Sequence, residues 1–208
     1  ESLKQQGLGG QWAQVSATYM PVNLRNALCF AHGDSVVDEE FSLNGITEVS
    51  GVDAATSALL HNLPKSLRTL EFAPRFNRRL HYVRLPAGLQ TLTLGCDFNQ
   101  SLDNITWPGG LQSLTLALNF NQSLDNVTWP ANLQSLTFGQ NFNQSLDNVT
   151  WPAGLQSLTF GAGFNQSLDN VAWPAGLQNL KFGQIFNQSL DNVTWPAGLQ
   201  SLTFGRRF

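Results

Sequence analysis

A 22-residue unit recurs without a break from Leu89 to Phe208. Its clearest copy is Leu133-Gln-Ser-Leu-Thr-Phe-Gly-Gln-Asn-Phe-Asn-Gln-Ser-Leu-Asp-Asn-Val-Thr-Trp-Pro-Ala-Gly154, and units begin at Leu89, Leu111, Leu133, Leu155, Leu177 and Leu199. A fixed period of this length restricts a chain to a solenoid, propeller or array. Within the unit, apolar residues fall at Leu133, Leu136, Phe138, Phe142, Leu146, Val149 and Trp151. Two pieces, Leu-Gln-Ser-Leu-Thr-Phe-Gly and Leu-Asp-Asn-Val-Thr-Trp-Pro, each place an apolar residue, skip one, and place another. That is the alternation of a half-buried strand. Gly139 and Pro152 then punctuate the unit. No window carries a sustained helical stripe. One coil is therefore predicted to hold a firm strand, a turn, a second extended arm and a return turn.

Such a coil is too small to bury its own apolar side. Stacked coils bury a continuous core, each touching its neighbours. Strands in a sheet lie about 4.8 Å apart, so equivalent side chains form ladders. Phe76, Phe98, Phe120, Phe142, Phe164, Phe186 and Phe208 are predicted to stack in one, and Trp107, Trp129, Trp151, Trp173 and Trp195 in another. Both read as core. Asn77, Asn99, Asn121, Asn143, Asn165 and Asn187 follow the Phe series. They are predicted to point inward and satisfy the backbone of an irregular turn.

The motif Leu-x-x-Leu-x-Phe-Gly on this period resembles a leucine-rich repeat. Phe-Asn-x-x-Leu followed by Pro-x-x-Leu-x-x-Leu-x-Phe-Gly is similar to the FNIP repeat, a leucine-rich-repeat relative found mainly in protists. The resemblance covers about residues 64–208. Two departures stand out: Ser replaces the frequent Pro after Phe-Asn-Gln, and Trp precedes the later Pro. The resemblance implies a mainly β fold, a right-handed leucine-rich-repeat-like solenoid of 22-residue coils with a parallel sheet and little helix. It also implies a role in binding other macromolecules, and it carries over no catalytic residues.

The repeats occupy residues 64–208, and residues 1–63 read as an N-terminal cap with degenerate coils. Residues 1–20 read as an arm or the start of that cap. Pro21–Phe30 mimics the strand motif with one residue inserted, and Ile46–Val49 marks a second degenerate coil. Asp53 is placed to cap a short helix through about Asn62. Phe208 holds the Phe of the Phe-Asn pair, so the sequence stops inside a unit and its last strand is expected to be an open edge.

Net charge is −3 and 12% of residues are charged, which argues against a nucleic-acid partner, since that needs a broad basic surface. No run of 18 apolar residues predicts a transmembrane helix. Cys29 and Cys96 are expected to lie too far apart to pair, leaving two free thiols. Asn-x-Ser/Thr sequons occur at nine positions, five of them on the Asn ladder. Glycans there would obstruct stacking, so the chain is expected to be intracellular, cytosolic or organellar. A plastid after transit-peptide removal is one such compartment.

The coil Leu67–Gly88 concentrates charge. Lys65, Arg68, Arg75, Arg78, Arg79 and Arg84 are six of the eleven basic residues, and Arg78–Arg79 replace the Gln-Ser of every later unit. They read either as a solvated edge pairing with Glu71 or the acidic stretch Asp34–Glu40, or as a docking patch for an acidic partner or headgroup. Gln90, Gln112, Gln134, Gln156, Gln178 and Gln200 form a neutral strip placed on the outer face of the strand, with Lys181 interrupting a neighbouring Thr series. In leucine-rich repeats that face often meets the partner.

His32, His61 and His81 share no metal-ligand spacing with the cysteines, no phosphate loop opens a helix, and no serine sits in a nucleophile elbow. No cofactor, metal or catalytic residue is predicted. The Asp103, Asp125, Asp147, Asp169 and Asp191 series reads as solvated turn residues. The expected function is a non-catalytic protein-interaction scaffold, an accessory subunit of a larger assembly docked through the basic coil and the open C-terminal edge. The alternative is an ice- or glycan-binding surface built on the Thr and Gln ladders.

Overall fold

The computed structural model describes residues 14–16, 47–52 and 63–208. Among the described residues nine short strands make one parallel sheet in sequence order: β1 (Gln14–Ser16), β2 (Glu48–Val52), β3 (Thr69–Phe72), β4 (Thr91–Thr93), β5 (Ser113–Thr115), β6 (Ser135–Thr137), β7 (Ser157–Thr159), β8 (Asn179–Lys181) and β9 (Ser201–Thr203). The predicted solenoid of 22-residue coils with a parallel sheet is what the chain forms. From β3 to β9 each strand pairs with the residues 22 positions on, as in Leu114↔Leu136 and Leu136↔Leu158. The only helical segment among the described residues is a 3-10 turn, Leu80–Tyr82.

From β3 to β9 each strand is three or four residues long because only the central Leu and its flanks repeat the alternation. Leu92, Leu114, Leu136 and Leu158 point into the core while their neighbours face out. Gly139 and Gly161 then end the strands and let the coils close up. A Cβ on Gly161 would lie 2.0 Å from the Gly139 carbonyl oxygen, and Ala, at Ala73 and Ala117, is the largest residue the series carries there. In β2 the register slips by one residue between Val49 and Val52, where Gly51 takes a φ of 70° that a side chain would disfavour.

The core is a set of ladders. Phe76, Phe98, Phe120, Phe142, Phe164 and Phe186 are fully buried, and successive rings lie 6.0–6.3 Å apart and nearly parallel. Phe138, Phe160, Phe182 and Phe204 form a second file, each within 4.0–4.3 Å of the Phe four residues on. The Trp ladder also stacks, with 6.1–6.4 Å between rings from Trp129 to Trp195. Offset stacking of this kind adds to the area that each ring buries.

Two expectations change. The second alternating piece is not a strand. Its backbone finds no ladder partner and turns instead on local bonds: the Ser145 hydroxyl accepts the Asp147 N–H at 3.2 Å, and the Val149 N–H donates to the Leu146 carbonyl at 3.1 Å. Alternation buries its apolar residues without supplying a neighbouring edge to bond. The Asn ladder is also not inward. Asn121, Asn143 and Asn187 are exposed and Asn99 and Asn165 half-buried. The side chains do satisfy backbone, but that of the next coil: Asn121, Asn143 and Asn165 each accept with Oδ1 the N–H of the Asn 22 residues on, at 2.8–3.0 Å.

β1 lies in a segment expected to be an arm, and β2 takes up the second degenerate coil with Val49 opposite Leu70. The expected coil at Pro21–Phe30, the helix after Asp53, the acidic stretch Asp34–Glu40, Cys29, His32 and His61 lie outside the described residues. No helix among the described residues is long and apolar enough to cross a membrane. Cys96 is a free, exposed thiol.

Candidate functional site

The outward positions of the strands make one continuous polar surface. Register alignment places Thr91, Ser113, Ser135, Ser157 and Asn179 in one row and Glu71, Thr93, Thr115, Thr137, Thr159 and Lys181 in another. These residues are half-buried or exposed, and among the described residues no element covers them. The Gln series flanks this face rather than forming it. Gln90, Gln112, Gln134 and Gln156 are exposed one residue before each strand. Their carbonyls fix the coil spacing: Gln90 O accepts both the Gln112 and the Ser113 N–H, at 2.9 and 3.0 Å. Sequence alternation alone left the phase of this strip open by one residue, and the strand register resolves it. Lys181 sits on the strand face, with Asn179 on the same strand.

The basic residues encircle one coil. Lys65 and Arg68 flank the buried Leu67 ahead of β3, Arg75 occupies the turn after β3, Arg78 and Arg79 precede the 3-10 turn, and Arg84 follows it. All six are exposed. The Arg68 guanidinium donates to the Gly88 carbonyl at 3.2 Å, which ties it to the return turn of its own coil. Among the described residues the other five make no side-chain hydrogen bond and no ion pair, so the expected pairing with Glu71 is not formed.

This coil differs from its successors for a chemical reason. In later coils a Ser hydroxyl accepts the N–H two residues on, as Ser101 does for Asp103 at 2.9 Å. Arg79 stands in that Ser position and has no hydroxyl to offer. The Val83 N–H donates to the Leu80 carbonyl, as in later coils, and the Tyr82 N–H reaches the Arg79 carbonyl at 3.3 Å, which makes Leu80–Tyr82 a 3-10 turn with no side-chain cap from Arg79. Tyr82 is left 64% exposed against His81, ring centroids 3.8 Å apart.

Two features were missed in the sequence. A second amide ladder runs beside the first: Asn119 Nδ2 donates to Asp97 at 3.2 Å and Asn141 Nδ2 to Asn119 at 2.8 Å, and it stops where Gly163 follows. The signal was the Asn preceding Phe at Asn119 and Asn141. The other feature is a shallow cleft of about 450 Å³ on the irregular arm, between Trp129 and Trp151. Asp125 is its one ionisable lining residue, so no acid–base pair meets there. The indole N–H groups of Trp107, Trp129, Trp151 and Trp173 are buried without an acceptor. Among the described residues no His, Cys, Asp and Glu cluster has the geometry to hold a metal.

Comparison with known proteins agrees with this geometry. The FNIP Repeat family profile matches residues 120–163 and again residues 164–207, each match spanning two coils. Residues 120–207 are FNIP repeats of the leucine-rich-repeat type. The crystal structure of CroV588, described as a novel circular LRR protein structure, is similar at 36% identity with a TM-score of 0.63. That match covers 79% of this chain and 28% of CroV588, so this chain spans under a third of that protein's length. No curated protein matches the chain.

Proposed function

We propose that this chain is a non-catalytic protein-interaction scaffold and acts as an accessory subunit of a larger assembly. The observation that carries this reading is the polar face of the parallel sheet, which no element among the described residues covers. It runs over β3–β9 in unbroken register and offers small hydroxyl side chains on a rigid support. Stacked coils hold such a surface with little conformational entropy left to lose on binding. Leucine-rich-repeat likeness supports the same assignment by analogy.

The test is capture from the native source with cross-linking mass spectrometry, using the natural chain and a Thr115→Arg, Thr137→Arg variant. A scaffold loses its cross-linked partner in the variant while the circular dichroism spectrum is unchanged. A chain that yields no stoichiometric partner at native concentration is not a scaffold. We further propose an intracellular location, because nine sequons stacked at coil spacing would crowd one another as glycans. An intact mass carrying no glycan agrees with this, and a glycosylated mass overturns it.

A further inference from the structure

We infer that Arg75, Arg78, Arg79 and Arg84 form a docking stripe for an acidic, extended protein segment that lies along the first full coil. The inference rests on the interaction-scaffold reading and names the chemistry of one partner element.

Four observations carry it. The guanidinium groups are exposed, and among the described residues none is committed to a carboxylate or to a carbonyl. Arg75, Arg78 and Arg79 fall within five residues, so their Cα atoms lie no more than about 14 Å apart by chain reach. All four are arginines, whose planar fork engages carboxylates in bidentate pairs. Tyr82 stands exposed beside them on the 3-10 turn that follows Arg79, adding an aromatic surface to the stripe.

The shape of the stripe selects the ligand. The positive charge is confined to one coil. In the position that His81 holds there, the next coils carry the exposed or half-buried Asp103, Asp125 and Asp147. Adjacent coils lie about 4.8 Å apart at the sheet, so Asp103 and Asp125 stand about one and two such spacings along from the His81 position, on the order of a Debye length at physiological salt. A bilayer surface or a nucleic-acid duplex is wider than one coil and would overlie the Asp series, where its own negative charge is repelled. An extended peptide is about one strand spacing wide. It can follow the coil from Arg75 to Arg84 without covering the carboxylates.

The neighbouring acidic group Asp97 does not neutralise the stripe. Its carboxylate accepts from Asn119 Nδ2 at 3.2 Å, and it forms no ion pair with Arg75.

The experiment titrates the full chain with a synthetic octaglutamate peptide, followed by fluorescence anisotropy of a dye on the peptide. Parallel titrations use phosphatidylserine vesicles and a short DNA duplex. Two variants accompany the natural chain: Arg78→Glu with Arg79→Glu, and Arg78→Gln with Arg79→Ser. The second pair restores the Gln-Ser of every later coil, so its fold is already represented in five coils of this solenoid, from Gln100-Ser101 to Gln188-Ser189. Octaglutamate binding that weakens about tenfold or more in both variants, and falls steeply as salt is raised, supports the inference. No octaglutamate binding at low salt overturns it, as does binding that both variants retain. Vesicles or duplex binding as tightly as the peptide also overturns it. Each of those failures leaves the scaffold reading standing if a partner is still captured through Thr115 and Thr137.

Discussion

Asn143 accepts the backbone N–H of Asn165 with its side-chain Oδ1 at 2.8 Å, and Gln166 donates to the same oxygen at 3.1 Å. One carboxamide thus bridges two coils, and the bond recurs from Asn77 to Asn187. Asn143→Ala leaves that N–H without its acceptor and is expected to lower stability by about 1 kcal/mol. Asn143→Asp keeps an acceptor oxygen and is expected to lose less. Urea denaturation of the two variants checks this, and equal losses would contradict the acceptor role.

The Trp ladder behaves differently. Trp151 is 8% exposed and its indole N–H has no acceptor. Trp151→Phe removes that donor and keeps an aromatic ring, so stability is expected to change by no more than about 1.5 kcal/mol. Trp151→Ala opens a cavity and is expected to cost about 3–5 kcal/mol. A large loss in the Phe variant would show that the N–H is satisfied after all.

Phe142 sits where the two Phe files meet. Its ring lies 4.1 Å from Phe138, 6.0 Å from Phe120 and 6.1 Å from Phe164. Phe142→Ala is expected to cost about 3–5 kcal/mol, and Phe142→Leu markedly less. Thermal unfolding by circular dichroism reads both.

Arg79→Ser gives the first full coil the hydroxyl that later coils use. The Ser side chain is then placed to accept the His81 N–H, as Ser101 does for Asp103. A stabilisation of about 0.5–1 kcal/mol is expected, in the range of a side-chain cap. A destabilised variant would mean that the 3-10 turn is preferred for reasons beyond the missing hydroxyl.

The repeat by itself determined most of this fold. Seven strands, β3–β9, start where Leu-x-x-Leu places them, and Phe76 through Phe186 are buried as the period requires. The reason is that a 22-residue unit with one apolar face has a single way to bury it, against copies of itself. What the period could not decide was anything that depends on how one coil sits on the next. Whether Leu146–Trp151 becomes a strand depends on a hydrogen-bonding neighbour, and alternation does not reveal one. The Asn143 carboxamide finds its donor 22 residues away, so its direction was invisible until the stacking register was known. The same register put Ser135 and Thr137 on the sheet face and moved Gln134 to its border. It also spread the basic residues around one coil, which the sequence shows only as a cluster. Side-chain periodicity fixes which residues go inside; contacts between coils, made at long range in the sequence, decide which polar groups face each other and which remain open to a partner.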